Sequence, residues 1–451
     1  MPKFHFIAIG GAVMHQLAAH LKIQGNYITG SDDAIYEPAK SNLKTLGLLP
    51  QNMGWFPQNI TTDIDAVILG MHAKADNPEL LKAQALGIKI YSFPEFIYEQ
   101  SIGKTRIAVA GSHGKTSITS MLMHILRTNQ KEFDYLVGAK LDGFDYMVKT
   151  SKNAPLMVIE ADEYLTSPLD LRSKFLHYHP QIAIISGIAW DHINVFPTFE
   201  LYLDTFRTFI KSISENGYLV YNEEDAVLCK MVEDIAPNIN LVPYKPFAFK
   251  IVEDESILLY NNKHYPTQVF GTHNFANLKA AFEVGKIIGL TDEQILSSFS
   301  TFKGAAKRLE KVAENTENKI TVFRDFAHAP SKVRATVNAV RERYPQRKII
   351  AVFELHTYSS LQENFIEQYA HSLDTADTKI LFLDIDALKL KNKQDLDEEW
   401  LKQQFADATI SVIKDKEILS TSIQAELQNN TVVLLMSSGN FADMSIKRII
   451  D

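Results

Sequence analysis

The chain has 451 residues, 46% hydrophobic and 22% charged, with a formal charge of −8, which suits about two to four globular domains. The acidic balance, with no long basic run, argues against a nucleic-acid partner. A single cysteine, Cys229, excludes a disulfide framework or thiolate metal cage and fits a reducing cytoplasm; no signal-peptide layout and no window of ~20 apolar residues point to membrane insertion.

Alternating strand-like and helix-like periods divide the chain into three α/β blocks, 1–103, 104–303 and 304–451. In the first, "KFHFIAI", "NYITGSD", "DAVILG" and "GIKIYS" read as strands of a parallel, nucleotide-type sheet, and "MHQLAAHLKIQG" as a helix ending at Gly25. The turn between strand and helix holds Gly10 and Gly11 side by side, with Val13 beyond them. It does not meet the G-x-G-x-x-G fingerprint, yet it leaves a helix N-terminus for a diphosphate, and Asp32 in "TGSDD" suits a ribose.

The second block opens on strand "KTRIAVA", loop "GSHGKTS" (111–117) and helix "ITSMLMHILRTNQ". Gly111 and Gly114 let successive N–H groups converge on one point, with a helix N-terminus behind them. Lys115 can reach a β- or γ-phosphate, and Thr116 can offer its hydroxyl to Mg²⁺. Val109 stands where the strict phosphate-loop pattern wants glycine, so a plain glycine turn with a solvated lysine is the competing reading. Strand "MVIEADEY" delivers Glu160, Asp162 and Glu163 to a sheet's carboxyl edge, where hard oxygens suit Mg²⁺; an acidic strand end in water is the alternative. After strand "QIAIISGIAWDH", His192 beside Asp191 suits either a second metal or a structural role. "GYLVYNEED" and "FKIVEDESILLYNNKHYP" read together as a small appended mixed sheet. In "GTHNFANLKAA", Asn274 and Asn277 lie three apart on a helix's first turn, suited to a purine edge or to capping.

The third block begins near "FKGAAKRLE". Strands "KITVFRD", "KIIAVFE", "TKILFLDI", "ATISVI" and "TVVLLMSSG" alternate with helices, a second Rossmann-like unit. Arg308 offers a forked cation for phosphate. Asp325 ends a strand and suits a ribose hydroxyl, and His328 and Lys332 follow it.

"GSHGKTS", "EADEY", "DH", "GTHNFANLKAA", "AKRLE" and "DFAHAP", in this order and spacing, give a whole chain that resembles the Mur ligase superfamily. The resemblance implies an α/β, three-domain architecture: an N-terminal Rossmann-like domain for the UDP-substrate, a central P-loop ATPase-type sheet, and a C-terminal Rossmann-like domain that closes on ATP and takes the incoming group. It implies an ATP-dependent ligase that activates a carboxylate as an acyl phosphate and forms an amide, with ATP and two Mg²⁺ as cofactors. Lys115, Glu160, His192 and His328 are then catalytic. Thr116 with Glu160, and Glu160 with His192, hold the two metals. Gly111, Ser112, His113, Gly114, Lys115, Thr116, Ser117, Asn274, Asn277, Arg308 and Asp325 contact the nucleotide. Gly10, Gly11, Ser31, Asp32 and His72 serve the UDP-sugar. "IGGAVM…TGSD" is similar to the branch that binds UDP-N-acetylmuramate. "LDLRSKFLHYHP" (169–180) and "MSSGNF" (436–441) are similar to murein peptide ligases, which implies the short peptide L-Ala-γ-D-Glu-meso-diaminopimelate as partner, with Arg172 and Lys174 on the sugar or peptide side. The alternatives are a sister ligase that adds L-alanine alone and, from another class, an ATP-hydrolysing switch that joins nothing; folate ligases lack the UDP-type block. Ser117 (where threonine is common), Ala329 (where "HHP" is frequent) and Val13 depart from the family pattern.

Overall fold

A computed structural model gives the fold and describes residues 1–190, 195–235, 238–357, 359–385, 388, 396–445 and 449–450. The chain divides into two compact units. One holds Met1–Ile188, Val195–Tyr244 and Glu283–Ile288; the other holds Lys245–Phe282 and most of the chain from Gly289 onward.

The first unit contains two parallel-type sheets. Four parallel strands stand in the spatial order Tyr27–Ser31, Lys3–Ile7, Ala66–Leu69, Lys89–Ser92. Ala66–Leu69 is buried throughout, as a strand covered by helices on both faces must be. Ser92 and Glu95 form a reciprocal capping box that starts helix Phe93–Gln100. The second sheet has seven strands in the order Asn240–Tyr244, Tyr218–Asn222, Ile182–Ile185, Thr105–Ala110, Leu156–Glu160, Phe133–Leu136, Val148–Lys149. All its pairs are parallel except the last.

This sheet corrects one expectation. "GYLVYNEED" is not part of an appended sheet: Tyr218–Asn222 pairs in parallel with Ile182–Ile185. Its neighbour Asn240–Tyr244 is the sheet's edge and carries Pro243, which an edge tolerates. A strand so near an edge is only partly covered (Tyr218, Tyr221 and Asn222 are half-exposed) and therefore shows a weaker apolar run than its partners. "FKIVEDESILLYNNKHYP" does form a small sheet of its own in the second unit: the antiparallel strands Phe249–Val252, Glu255–Tyr260 and Lys263–Thr267.

The second unit's main sheet has six strands, Glu310–Asn315, Ile320–Asp325, Thr431–Met436, Lys348–Glu354, Thr378–Phe382 and Ser411–Ile413 in spatial order. Only the first pair is antiparallel. Its core clusters Phe323, Val333, Val337, Ile349, Ala351, Phe353 and Leu434 beneath helix Pro330–Arg343.

One buried ion pair ties the entry of the central sheet together. The Lys104 ammonium donates to Asp134 and, at 2.5 Å, to the Ser151 carbonyl; Ser151 N–H donates back to Asp134 at 2.8 Å. Both side chains are buried. Removing the carboxylate leaves an uncompensated buried ammonium. Asp134→Ala is expected to lower unfolding free energy by about 3–5 kcal/mol, read by urea titration; a loss below ~1 kcal/mol would show the pair to be dispensable.

Candidate active site

The 111–117 loop joins strand Thr105–Ala110 to helix Lys115–Thr128. Gly111 has φ +120°, and a Cβ there would stand 2.3 Å from Ser186 Oγ and 2.8 Å from Ser186 N. Gly114 is left-handed at φ +74° and caps the helix. No L side chain suits either backbone. Ser186, the residue after the neighbouring strand, donates from N–H to the Ala110 carbonyl at 3.2 Å and from its hydroxyl to the His113 carbonyl. Ser112 N–H donates to the Gly187 carbonyl at 3.0 Å. The loop is thereby fixed with a helix N-terminus at its end, a geometry suited to phosphate oxygens.

Three side chains of the loop and helix start are held by acids or a phenol. Lys115 Nζ donates to Glu163 Oε2 at 2.6 Å and to the Gly111 carbonyl at 2.8 Å. Thr116 Oγ1 donates to Glu160 Oε1 at 2.7 Å, and Gly138 N–H donates to Glu160 Oε2 at 2.6 Å. A Cβ on Gly138 would approach Glu160 Oε1 to 3.0 Å, so the small residue lets the backbone reach the carboxylate. Ser112 Oγ lies 2.8 Å from Tyr202 Oη, which donates to Glu163 Oε1 at 3.2 Å. His113 and Ser117 stay in the loop and first turn; Ser117 is buried and its carbonyl accepts from Ser120. A hydroxyl and a carboxylate in contact beside a phosphate-type loop are the hard-oxygen pair that Mg²⁺ takes, so Thr116 and Glu160 fit that ion, and the loop with Lys115 fits a triphosphate. His192 lies outside the described residues.

In the first block, Gly10 N–H donates to Asp32 Oδ2 at 2.7 Å. Burial pushes the Asp32 carboxyl above its ordinary value, against the Gly10 bond, which favours the charged form. Gly11 opens the helix turn, its carbonyl accepting from His15 N–H. Ala8, just before these glycines, has φ +65°, a strained backbone of the kind found at ligand loops. Ser31 points elsewhere: its hydroxyl donates to Glu79, which also lies 3.3 Å from His5 Nε2 and accepts from Phe56 N–H at 2.6 Å. His72 is exposed. Arg172 is exposed and held by Asp170 at 2.6–3.1 Å, while Lys174 donates to Asp162 at 2.8 Å.

In the second unit, Asn274 donates to the Phe270 carbonyl at 2.9 Å, and Asn277 donates to Asn274 Oδ1 at 3.3 Å. Both are buried. Arg308 sits between two left-handed residues, Lys307 (φ +56°) and Leu309 (φ +47°), with its guanidinium 4.6 Å from the Phe326 ring. Asp325 anchors this turn: its oxygens accept from Leu309 N–H at 2.6 Å, Ala327 N–H at 2.7 Å and Thr336 Oγ1 at 3.3 Å. Burial pushes its carboxyl up; Arg308 and these donors pull the other way. His328 Nδ1 lies 2.8 Å from the Phe326 carbonyl.

Reading the sequence missed a further buried acid at a strand end. Glu354 closes strand Lys348–Glu354 and accepts from Ser437 Oγ and, at 3.0 Å, from Phe441 N–H; His356 Nδ1 lies 3.6 Å away. Burial opposes its ionisation, but His356, Ser437 and the Phe441 N–H together hold its carboxyl below the usual range. The signal was present: a carboxylate ending an apolar run, as at Glu160. The Tyr202 contact carried no such signal, because Tyr202 lies far along the chain from the loop.

The sequence matches three family models: Mur ligase family, catalytic domain over residues 3–104; Mur ligase middle domain over 109–285; and Mur ligase, glutamate ligase domain over 307–439. A UDP-N-acetylmuramate–L-alanine ligase of Caldicellulosiruptor bescii is 30% identical, across 98% of this chain and 96% of its own. Among solved structures, a UDP-N-acetylmuramate-alanine ligase of Thermotoga maritima superposes with TM-score 0.72 at 22% identity, covering 100% of this chain and 98% of that one. A UDP-N-acetylmuramate:L-alanyl-γ-D-glutamyl-meso-diaminopimelate ligase of Neisseria meningitides gives TM-score 0.60 at 25% identity, covering 67% of this chain and 98% of that one. The chain belongs to the Mur ligase family of ATP-dependent, amide-forming ligases and has its three-domain α/β architecture.

Proposed function

We propose that this ligase joins the lactyl carboxylate of UDP-N-acetylmuramate to the amine of L-alanine. The observation that carries this reading is the full-length relatedness to an L-alanine ligase at 30% identity. ATP would supply the phosphoryl group that makes the carboxylate a better acyl donor, with Mg²⁺ neutralising charge on the triphosphate. Thr116 and Glu160 would hold that ion, joined by His192 for a second. Lys115, leaving Glu163, would meet oxygens on which charge develops. Gly111, Ser112, His113, Gly114 and Ser117 line the same loop. Asn274, Asn277, Arg308 and Asp325 are assigned to the nucleotide, and His328 to orienting the reacting centre. Gly10, Gly11, Ser31, Asp32 and His72 are assigned to the UDP-sugar. Of these, Ser31 and Asp325 would act through what they hold, since their polar atoms are committed to Glu79 and to backbone N–H groups.

The second reading keeps the chemistry and changes the nucleophile to the tripeptide L-Ala-γ-D-Glu-meso-diaminopimelate. It rests on the "LDLRSKFLHYHP" and "MSSGNF" segments, with Arg172 and Lys174 as its sugar- or peptide-side contacts, and on the 25% identity to the Neisseria enzyme. Full-length relatedness favours alanine over this peptide.

Two measurements test the reading. With ATP, Mg²⁺ and UDP-N-acetylmuramate, mass spectrometry is expected to find the amide product with L-alanine and none with the tripeptide. A product with the tripeptide alone would transfer the assignment, and ATP hydrolysis without any amide product would overturn the ligase reading. Lys115→Ala is expected to slow ATP-dependent product formation by ~10²–10³-fold; an unchanged rate would remove the loop from the chemistry.

A further inference from the structure

Outside the nucleotide loop, three metal-competent side chains meet where the first block touches the second. Glu95 lies in the first turn of helix Phe93–Gln100, Asp170 in strand Asp170–Ser173, and His177 in the turn Lys174–His177. One donor atom from each lies within 4.8 Å of the other two. The His177 side chain is 93% buried, taking its 7% relative exposure, and its Nε2 makes no hydrogen bond although Asp170 Oδ2 is 3.4 Å away. A buried imidazole nitrogen without a bond loses its hydration for nothing in return.

The surroundings are rigid. Phe175, two residues before His177, stacks on Phe209 at 4.5 Å and meets Phe206 edge-on at 5.4 Å. Glu95 is pinned by the capping box: its Oε2 accepts from Ser92 N–H and Oγ at 2.7 and 2.6 Å, which leaves Oε1 over. Asp170 is paired with Arg172, but that guanidinium is 64% exposed, where an ion pair is worth little. Arg172 satisfies Asp170 and leaves the His177 nitrogen without a bond. A divalent cation would satisfy both. Two carboxylates against one guanidinium leave the cluster with one negative charge in excess.

We propose that Glu95, Asp170 and His177 form a binding site for a divalent transition cation of the zinc class, clamping helix Phe93–Gln100 to the 165–177 hairpin and turn. One nitrogen and two carboxylate oxygens suit Zn²⁺ or Co²⁺. Bonds of ~2.0–2.2 Å at a tetrahedral ion put ligand atoms roughly 3.3–3.6 Å apart, and His177 Nε2 and Asp170 Oδ2 already stand at 3.4 Å. Burial also holds the imidazole below its ordinary pKa, the nearby carboxylates opposing, so the ring keeps its lone pair at neutral pH.

The test uses the full chain, stripped with chelator and returned to excess Mg²⁺ so that magnesium sites are filled. Co²⁺ is then titrated by its visible absorption and Zn²⁺ by calorimetry. A single saturable equivalent is expected. It should be lost in His177→Ala, weakened by at least the ~10–100-fold that even a supporting group is worth in Glu95→Gln, and kept in Glu160→Gln. Glutamine preserves the capping box, so Glu95→Gln decides the matter if His177→Ala fails to fold. No saturable binding under excess Mg²⁺, wild-type affinity in Glu95→Gln, or loss in Glu160→Gln alone would overturn the site.

Discussion

The site depends on one register, Val109 opposite Glu160 in the parallel pair of strands that flank the loop. A slip of one residue would carry Glu160 to the other face of the sheet and away from Thr116. The strands' buried interiors, Arg106–Ala110 and Met157–Ile159, forbid that slip, because it would also invert every core side chain. On the opposite flank, Ala110 pairs with Ile185, which places Ser186 directly under Gly111. The loop is gripped from two sides by the residues that end its neighbouring strands. Its glycines answer the same constraint, since any Cβ at 111 would occupy the space Ser186 fills.

Carboxylates recur at strand ends in this chain, and their partners separate them into two kinds. Asp32 and Asp325 receive backbone N–H groups, from Gly10 in one case and from Leu309 and Ala327 in the other. Such bonds shape a loop and are not given up without reshaping it. Glu163 instead holds a lysine ammonium and a tyrosine hydroxyl, side chains that can exchange one partner for another. The first kind shapes its loop; the second is able to change partners. Glu160 and Glu354 stand between the two, each taking one backbone N–H, from Gly138 and Phe441, and one hydroxyl, from Thr116 and Ser437.

Much of this was legible because buried parallel strands announce themselves. "IAVA" within "KTRIAVA" and "LMVI" before "EADE" are uninterrupted apolar runs, and the glycines at 111 and 114 could serve little except a turn with unusual backbone. Tyr218–Asn222 is hard to place from sequence because a partly exposed strand loses that contrast. Asn274 and Asn277 were singled out for their spacing, and the fold shows them bonded to each other and to the Phe270 carbonyl, a relation spacing cannot reveal. The Glu95, Asp170 and His177 cluster was illegible in principle: its members come from a helix cap, a short strand and a turn, up to 82 positions apart (95 against 177).

The resting partners of the loop bear on how it selects its ligand. Glu163 is fully buried and already neutralises Lys115, whose side chain is 14% exposed. Glu160 stands beside Thr116 as a second negative charge. A bare triphosphate approaching this loop would therefore meet a neutralised lysine and two carboxylates, and in a site this poorly hydrated such repulsion is not screened as it is in water. A divalent cation arriving with the phosphates reverses the sign of the Glu160 interaction, turning a repelling charge into a ligand. Moving Lys115 to phosphate would take the cation away from the fully buried Glu163 carboxylate, a cost that the phosphate contact has to exceed. On the proposed reading, two acids three residues apart at one strand end would give the loop a preference for the metal-bound nucleotide.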